Sequence, residues 1–225
     1  MSDLLLVPTE PELRLLRPRL GRSASGNQPA SRWTIALCGF GLVAAAARTA
    51  MLIAQHRPQQ ALLVGIAGAL SDSATIGSAY AFDRVICDGI GVGSDADYLA
   101  AAEIGWNQWT GDAPDHAIGD EIELANQANL AHAAPGRTLL SVCAASAHRQ
   151  HAAQRQQRYP QAFAEDMEGF GVALACQLAG VPLRIVRGIS NHAGDRNLSK
   201  WQIEESLTAA AELAGTLMTA VEQAP

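Results

Sequence analysis

Residues 164–201, AEDMEGFGVALACQLAGVPLRIVRGISNHAGDRNLSKW, predict a helix, a strand and a polar loop in that order. Three acidic residues within 165–168 precede an apolar run that stops at Gly180, which is the usual pattern of a helix start and end. The branched segment LRIVR at 183–187 predicts a buried strand. Because ligands of open α/β sheets gather beyond the carboxyl ends of the strands, we expect a site in the loop that follows.

Outside this stretch, strands and helices alternate along the chain. The predicted strands are 4–7, 33–37, 61–66, 77–87 and 138–142, and the predicted helices are 13–20, 42–54, 124–133, 148–158 and 199–220. This order favours an α/β fold: a single domain, 1–225, with a central mixed, largely parallel β-sheet flanked by helices on both faces. The acidic segment 88–115 is predicted to be partly loop, either a cover for the site, a contact between subunits or a surface insertion.

Composition narrows the class of protein. The 225 residues are 48% hydrophobic and 17% charged, which is ordinary for a compact domain with a sizeable core. The net charge of −6 argues against a nucleic-acid partner, which would need a basic face.

The cysteines and the N-terminus bear on location. No CxxC spacing occurs, so the thiols are interpreted as buried and reduced, as in a cytoplasmic protein; they are Cys38, Cys87, Cys143 and Cys176. No basic region precedes an apolar one at the start of the chain, so no signal peptide is predicted. The most apolar region, 35–54, is broken by glycines and Arg48, so no membrane span is expected.

Two local patterns argue against a cofactor and a metal. Gly39 and Gly41 lie between a strand and a helix, but the third glycine and the acidic residue of a dinucleotide fingerprint are missing. A tight turn is the better interpretation. His148 and His151 are three residues apart with no third ligand nearby in sequence, so a solvated helix face is favoured over a metal site.

Thr9 and Glu12 match a capping box, with the glutamate three positions after the cap, and Ser199 and Gln202 repeat the pattern. Spacing alone favours a capping role for Glu12. The alternative is a general base at the end of the first strand.

Two motifs carry a resemblance to a known family. MEGFGVALAC at 167–176, followed by VRGISN at 186–191 and GDR at 194–196, resembles the purine nucleoside phosphorylase and methylthioadenosine nucleosidase superfamily. The form found here is similar to that of the futalosine hydrolases of the menaquinone pathway. The two motifs at this spacing are fairly specific, whereas either alone would be weak. The resemblance implies a nucleoside phosphorylase-like fold, a small-molecule nucleoside substrate and a homo-oligomer.

The resemblance also implies roles for individual residues. Glu12 matches the glutamate that orients the attacking water, which favours the general-base interpretation. Glu168 would accept hydrogen bonds from the ribose hydroxyls, and Met167 would pack against the sugar. Ala67 and Gly68 match a backbone segment that passes beside the sugar and the base.

The leaving base is predicted from Asn191. Adenine-cleaving relatives carry Asp at this position, whereas an amide offers a donor and an acceptor but no acidic proton, as a 6-oxopurine requires. The alternative is that Asn191 is a turn residue and Asp195 is the proton donor. Ala145 stands where methylthioadenosine nucleosidases stack an aromatic ring on adenine, which also argues against adenine.

The first hypothesis is therefore N-glycosidic hydrolysis of futalosine with release of hypoxanthine. A methylthioadenosine or adenosylhomocysteine nucleosidase is the alternative within enzymes, and a phosphorylase would need a cationic grip on phosphate that residues 39–41 do not supply. A non-catalytic nucleoside-binding protein is the alternative of another class.

Overall fold

The structure is a computed structural model that describes residues 3–20, 32–94, 97–111, 117–125 and 136–222. The helices are α1 Glu10–Leu20, α2 Leu42–His56, α3 Arg149–Arg158, α4 Gly169–Leu178 and α5 Ile203–Glu222. The strands are β1 Asp3–Val7, β2 Trp33–Leu37, β3 Ala61–Ala69, β4 Ala79–Phe82, β5 Arg84–Asp88, β6 Gly91–Val92, β7 Leu99–Ala100, β8 Glu121–Glu123, β9 Thr138–Val142, β10 Ala162–Asp166 and β11 Leu183–His192.

The central sheet branches at β3. Along one side of β3, the parallel strand β11 pairs from end to end, and β11 in turn pairs antiparallel with β4. Along its other side, β3 pairs first with β1, which continues to β2, and then with β10, which continues to β9, β5 and β8. The sheet is therefore mixed and largely parallel, as predicted.

Two parallel halves meet at a narrow join, which we call the seam. One half contains β2, β1, β3 and β11, and the other contains β10, β9 and β5. They are joined antiparallel through Gly68 and Ala69 of β3, which lie opposite Glu165 and Ala164 of β10. The strand pairing with β1 ends at Leu63, so the middle of β3 has no strand partner on that side.

The core lies on both faces of the sheet because strand side chains alternate in direction. Leu4 and Leu6 of β1 belong to the cluster that includes residues of α2 and α4. Leu5 and Val7 belong to the cluster that includes residues of α1 and α5. Fully buried strands of this kind are rich in continuous apolar residues, as β1 is.

The structure corrects the boundaries predicted around 164–201. Glu165 and Asp166 were expected to begin a helix, but they end strand β10, whose register with β9 runs through Asp166. Only Glu168 lies at the helix start, as the residue that precedes α4. Asn191 was expected in a loop, but β11 continues to His192 because it pairs along all of β3.

The predicted elements outside this stretch have mixed outcomes. Residues 77–87 form two strands instead of one, and α5 begins at Ile203, so the capping box expected at Ser199 is wrong. In segment 88–115, the described residues include the hairpin of β6 and β7 and a 3-10 helix at Ala102–Ile104. The predicted helix at 124–133 lies mostly outside the described residues.

The described cysteines are all free, and three of them are buried as predicted. Cys143 is exposed, which corrects that part of the prediction. In the described part of the chain, no helix is long and apolar enough to cross a membrane.

Candidate active site

A cavity of about 380 Å³ opens where the middle of β3 lacks a strand partner. Its walls come from both halves of the sheet, from the starts of α1 and α4, and from the segment between β11 and α5. The lining residues are Pro8, Thr9, Pro11, Glu12, Leu15, Phe40, Ile66, Ala67, Gly68, Ala145, Glu165, Asp166, Met167, Glu168, Ser190, Asn191, Arg196, Leu198, Trp201 and Ile203. All of the predicted site residues except Asp195 are among them.

Glu12 both caps a helix and faces the cavity. Its Oε2 accepts hydrogen bonds from the Thr9 backbone N–H at 3.1 Å and from the Thr9 hydroxyl at 2.5 Å, which confirms the predicted capping contact. Its Oε1 accepts the Ile66 N–H at 3.0 Å. That amide belongs to the part of β3 that has no strand partner on the side away from β11, so the carboxylate takes the place of a neighbouring strand there. One oxygen thus fixes the helix while the other binds β3 beside the cavity.

Glu168 also lines the cavity, and only 5% of its surface is exposed. Its Oε1 accepts the Gly41 N–H at 3.1 Å, and its Oε2 accepts from Nη2 of Arg187 at 3.3 Å. Burial raises the pKa of Glu168 to about 7 from 4.5, Arg187 opposes this rise, and Asp166 adds to it. Through this hydrogen bond, the turn at 39–41 helps to orient the Glu168 carboxylate.

Arg187 is fully buried behind these carboxylates. Its Nη2 donates to Asp166 and to Glu168, whereas its Nε and Nη1 have no protein partner among the described residues. Arg187 does not itself line the cavity, so it acts on a ligand through the carboxylates that it holds. Arg187 stands in the VRGISN motif, but no role was predicted for it, although an arginine inside a buried strand is itself a signal of a paired or functional charge.

Asp166 holds Arg187 in place. Its Oδ1 accepts the Ser141 hydroxyl at 2.5 Å, and its Oδ2 accepts the Gly169 N–H at 2.8 Å. Ser141 also accepts the Phe170 N–H at 2.8 Å, so the start of α4, β9 and β11 are tied into one network. These hydrogen bonds fix the Asp166 carboxylate, which in turn fixes Nη2 of Arg187.

Gly65 allows Arg187 and Glu12 to approach each other. A Cβ at Gly65 would lie 2.2 Å from Nη1 of Arg187 and 2.9 Å from Oε1 of Glu12. No side chain of any size fits there. The absence of a Cβ at this position therefore brings a cation and a carboxylate to the same point of β3.

Asn191 lies at the carboxyl end of β11 and is nearly buried. Its Oδ1 accepts the Ser190 hydroxyl at 2.8 Å, and its Nδ2 donates to the His192 carbonyl at 2.8 Å. These partners fix which end of the amide is oxygen. A second contact from Nδ2, to the Asp195 carbonyl, is long at 3.4 Å, so one amide hydrogen is weakly held.

The side chain of Asp195 does not line the cavity. Its carboxylate accepts the Asn197 N–H at 2.9 Å and so shapes the loop after β11. The structure therefore brings Asn191, and not Asp195, to the cavity wall. The role of each in catalysis stays a prediction.

The remaining predicted residues form the walls. Ala67, Gly68 and Met167 line the cavity, and so does Ala145, which presents no ring. The turn that carries Ala145 is held by Glu165, whose carboxylate accepts from the Ser146 N–H at 2.8 Å and from Arg155 at 3.0 Å. This part of the cavity wall therefore consists of a small side chain on a turn that is held in place.

The site thus combines a carboxylate at the start of α1, a second carboxylate whose pKa is raised to about 7 by burial, and a fully buried guanidinium that pairs with Asp166 and Glu168. Among the described residues, no group of three or more His, Cys, Asp and Glu side chains is arranged to hold a metal ion. Such a site suits acid–base chemistry on a polar substrate whose charge becomes positive during the reaction.

Comparison with known proteins places this site in a family. A family model described as the phosphorylase superfamily matches residues 4–222. The chain therefore belongs to the phosphorylase superfamily. It is 30% identical over 195 residues to a protein named futalosine hydrolase from Streptomyces coelicolor, a match that covers 84% of this chain and 80% of that protein.

Solved structures agree on the fold. A 5′-methylthioadenosine/S-adenosylhomocysteine nucleosidase from Colwellia psychrerythraea, in complex with adenine, is similar with a TM-score of 0.73 and 20% identity, covering 97% of this chain and 95% of that one. Futalosine hydrolase of Helicobacter pylori is similar with a TM-score of 0.72 and 19% identity, covering 97% and 98%. The predicted nucleoside phosphorylase-like fold is confirmed.

Proposed function

We propose that this protein hydrolyses the N-glycosidic bond of futalosine and releases hypoxanthine and dehypoxanthinylfutalosine. The observation that carries the proposal is the position of Glu12 and Glu168 on one cavity, with Arg187 buried between them and the Gly65 backbone. The Streptomyces coelicolor relative named futalosine hydrolase supports the choice of substrate.

Glu12 is the general base in this proposal. Its Oε1 accepts a proton from water as the water oxygen bonds to the anomeric carbon of the ribose. The positive charge that develops on the sugar ring is stabilised by the nearby carboxylates.

Glu168 positions the sugar. A carboxylate accepts hydrogen bonds from both ribose hydroxyls, and Oε1 of Glu168 is already aligned by the Gly41 N–H. Met167 lies beside it on the cavity wall as an apolar surface for the sugar face. Fixing the ribose in this way places the anomeric carbon next to the activated water.

Asn191 binds the departing base. The C–N bond breaks with its electron pair moving to the purine, which takes up a proton from solvent, while Glu12 returns its proton to solvent. The weakly held hydrogen on Nδ2 of Asn191 donates to the purine oxygen or ring nitrogen and stabilises the charge that arrives there. An amide has no proton to give, so this geometry suits a 6-oxopurine leaving group better than adenine.

The proposal extends to the setting of the reaction. A futalosine hydrolase acts in menaquinone biosynthesis, and free cysteines agree with a cytoplasmic location. We further propose that residues 1–225 form one domain and that the protein is a homo-oligomer. Exposed apolar side chains near the β6–β7 hairpin support an interface there: Ile90, Val92, Leu99, Trp106 and Trp109.

Substrate comparison tests the proposal. The protein is incubated with futalosine, inosine or methylthioadenosine, with and without phosphate, and the free base is measured by chromatography. We expect hypoxanthine from futalosine at a rate that phosphate does not change. Release of adenine from methylthioadenosine at a higher rate would identify the nucleosidase alternative instead, and dependence on phosphate would identify a phosphorylase. Bound nucleoside without any release of base would indicate a non-catalytic binding protein.

A further inference from the structure

One end of the cavity is not used by the proposed contacts to the purine and the reacting part of the sugar. It lies between the start of α1 and the segment that leads into α5. The residues that line it are Pro11, Leu15, Arg196, Leu198, Trp201 and Ile203. Five of these six are apolar or aromatic, so this end accepts a flat, apolar group.

Trp201 forms the rigid part of this end. Its indole Nε1–H donates to the Asp195 carbonyl at 3.0 Å, which anchors the ring to the loop after β11. The guanidinium of Arg196 lies over this ring, with its Cζ 5.2 Å from the ring centroid. Stacking on an aromatic face limits the directions that the guanidinium can take and leaves its edge free for hydrogen bonds.

The charges around the cavity are unevenly distributed. Among the described residues that line it, Arg196 is the only cation. Three of the four carboxylates, Glu165, Asp166 and Glu168, lie at the end of β10 and the start of α4, and the fourth is Glu12. Within the described part of the chain, no acidic side chain pairs with Arg196, and the nearest in sequence, Asp195, is engaged by the Asn197 N–H. An anionic group on a ligand is therefore repelled from the reacting end and attracted to Arg196.

We propose that Arg196, stacked on Trp201, binds an aromatic carboxylate that the substrate carries on the side of the sugar away from the purine. This inference rests on the proposed function, because futalosine is a nucleoside that ends in a benzoate. The aromatic ring packs among Pro11, Leu15 and Trp201, and the carboxylate accepts from the guanidinium edge. Arg196 then selects futalosine over nucleosides without a negative end.

The size of the effect follows from the exposure of Arg196. Hydrogen bonds to charged groups contribute more than neutral ones, but solvent weakens those at the surface. For Arg196→Gln we expect kcat/KM for futalosine to fall roughly ten- to thirtyfold. The change appears in KM and not in kcat, because the carboxylate contact is the same in the ground state and in the transition state.

The experiment compares futalosine with its methyl ester, which has no negative charge and is larger by one methyl group. Both are measured with the wild type, with Arg196→Gln and with Lys200→Gln. Lys200 is a matched control because it is exposed, lies four residues further on and does not line the cavity. Melting temperatures of the variants verify that each is folded.

The wild type is expected to prefer the acid over the ester, Arg196→Gln to lose that preference, and Lys200→Gln to keep it. Equal losses on acid and ester would overturn the inference, and so would an unchanged preference in Arg196→Gln or an equal loss in Lys200→Gln. A wild type that cleaves neither compound would instead contradict the proposed function, so the two failures are distinguishable.

Discussion

The carboxylate of Glu168 accepts a hydrogen bond at 3.3 Å from Arg187, a guanidinium with no exposed surface. Asp166 binds the same nitrogen, so a single cation is shared by two buried acids. Burial raises the pKa of Glu168 to about 7, and the shared cation compensates the negative charge of its carboxylate only in part. The protonation of Glu168 therefore changes within the physiological range.

The first prediction concerns pH. Protonated Glu168 cannot accept from both ribose hydroxyls, so kcat/KM falls as the pH drops below about 7, with a slope of one proton. Glu168→Gln no longer holds the sugar in place, so it lowers the rate by roughly 10²-fold and removes this acid limb. The measurement is kcat/KM between pH 5 and 9, and an unchanged limb in the variant would assign it to another group.

The stability of the folded protein should change with pH in the opposite direction to the activity. The pKa of Glu168 is higher in the folded state than the 4.5 of the unfolded chain, so the folded state binds more protons between these values. The contribution of this group to the free energy of unfolding therefore decreases as the pH rises from about 4.5 to about 7. Denaturant titrations of the wild type and Glu168→Gln at several pH values measure the difference.

The second prediction separates the two roles of Glu12. Glutamine also serves at this position of a capping box, so Glu12→Gln should keep the helix start. Its amide NH2 cannot accept the Ile66 N–H, so we expect a loss of about 1–3 kcal/mol of stability. It cannot accept a proton, so turnover should fall by roughly 10²–10⁴-fold. Glu10→Gln is the control, since Glu10 is an exposed acid in the same turn that does not line the cavity. A folded Glu12→Gln variant with wild-type turnover would exclude the general-base role.

The third prediction concerns Gly65. The added Cβ of Gly65→Ala would overlap Nη1 of Arg187, so the guanidinium or the strand must move. Such overpacking costs about 1–3 kcal/mol of stability, and misplacement by about 1 Å costs roughly 10²-fold in rate. Gly215→Ala is the matched control, because no atom lies within 4 Å of its Cβ position in α5. That control should be slightly stabilised, and equal losses of rate in both variants would contradict the expectation.

The fourth prediction concerns the leaving base. Asn191→Asp replaces a donor with an acceptor that can also carry a proton, so hypoxanthine release should fall about 10–100-fold. Release of adenine from adenosine-type substrates should rise relative to the wild type. Asn197→Asp is the control: Asn197 is exposed, and its side chain caps the Leu198–Lys200 turn through an oxygen that Asp retains. The ratio of the two bases, measured by chromatography, should change only in the Asn191 variant.

Much of the fold follows from local sequence. The strand at β1, the capping box at Thr9 and Glu12, and the helix at α2 are fixed by patterns within a few residues. The same local pattern is wrong at Ser199, because the Asn197 side chain accepts the Ser199 N–H and starts a 3-10 helix instead. Local patterns are therefore reliable only where no neighbouring side chain competes for the same amide.

The site was less predictable than the fold. Glu168, Met167 and Asn191 were identified because their motifs resemble a family, and the structure brings them to one cavity. The role of Arg187 could not be inferred, since it depends on Gly65, a residue 122 positions away in the chain. The extension of β11 to Asn191 depends likewise on pairing with β3, which overrides the loop-like composition of GISN.

The seam has a mechanical consequence. Among the described residues, the strand pairing between the two halves of the sheet at β3 comprises two pairs of residues, whereas the cavity wall spans both halves. A ligand that contacts Glu12 on one half and Met167 on the other would limit the motion of the two halves relative to each other. Occupancy should therefore slow amide hydrogen exchange in β10 as well as in β1, so the empty protein is the looser one even far from the ligand.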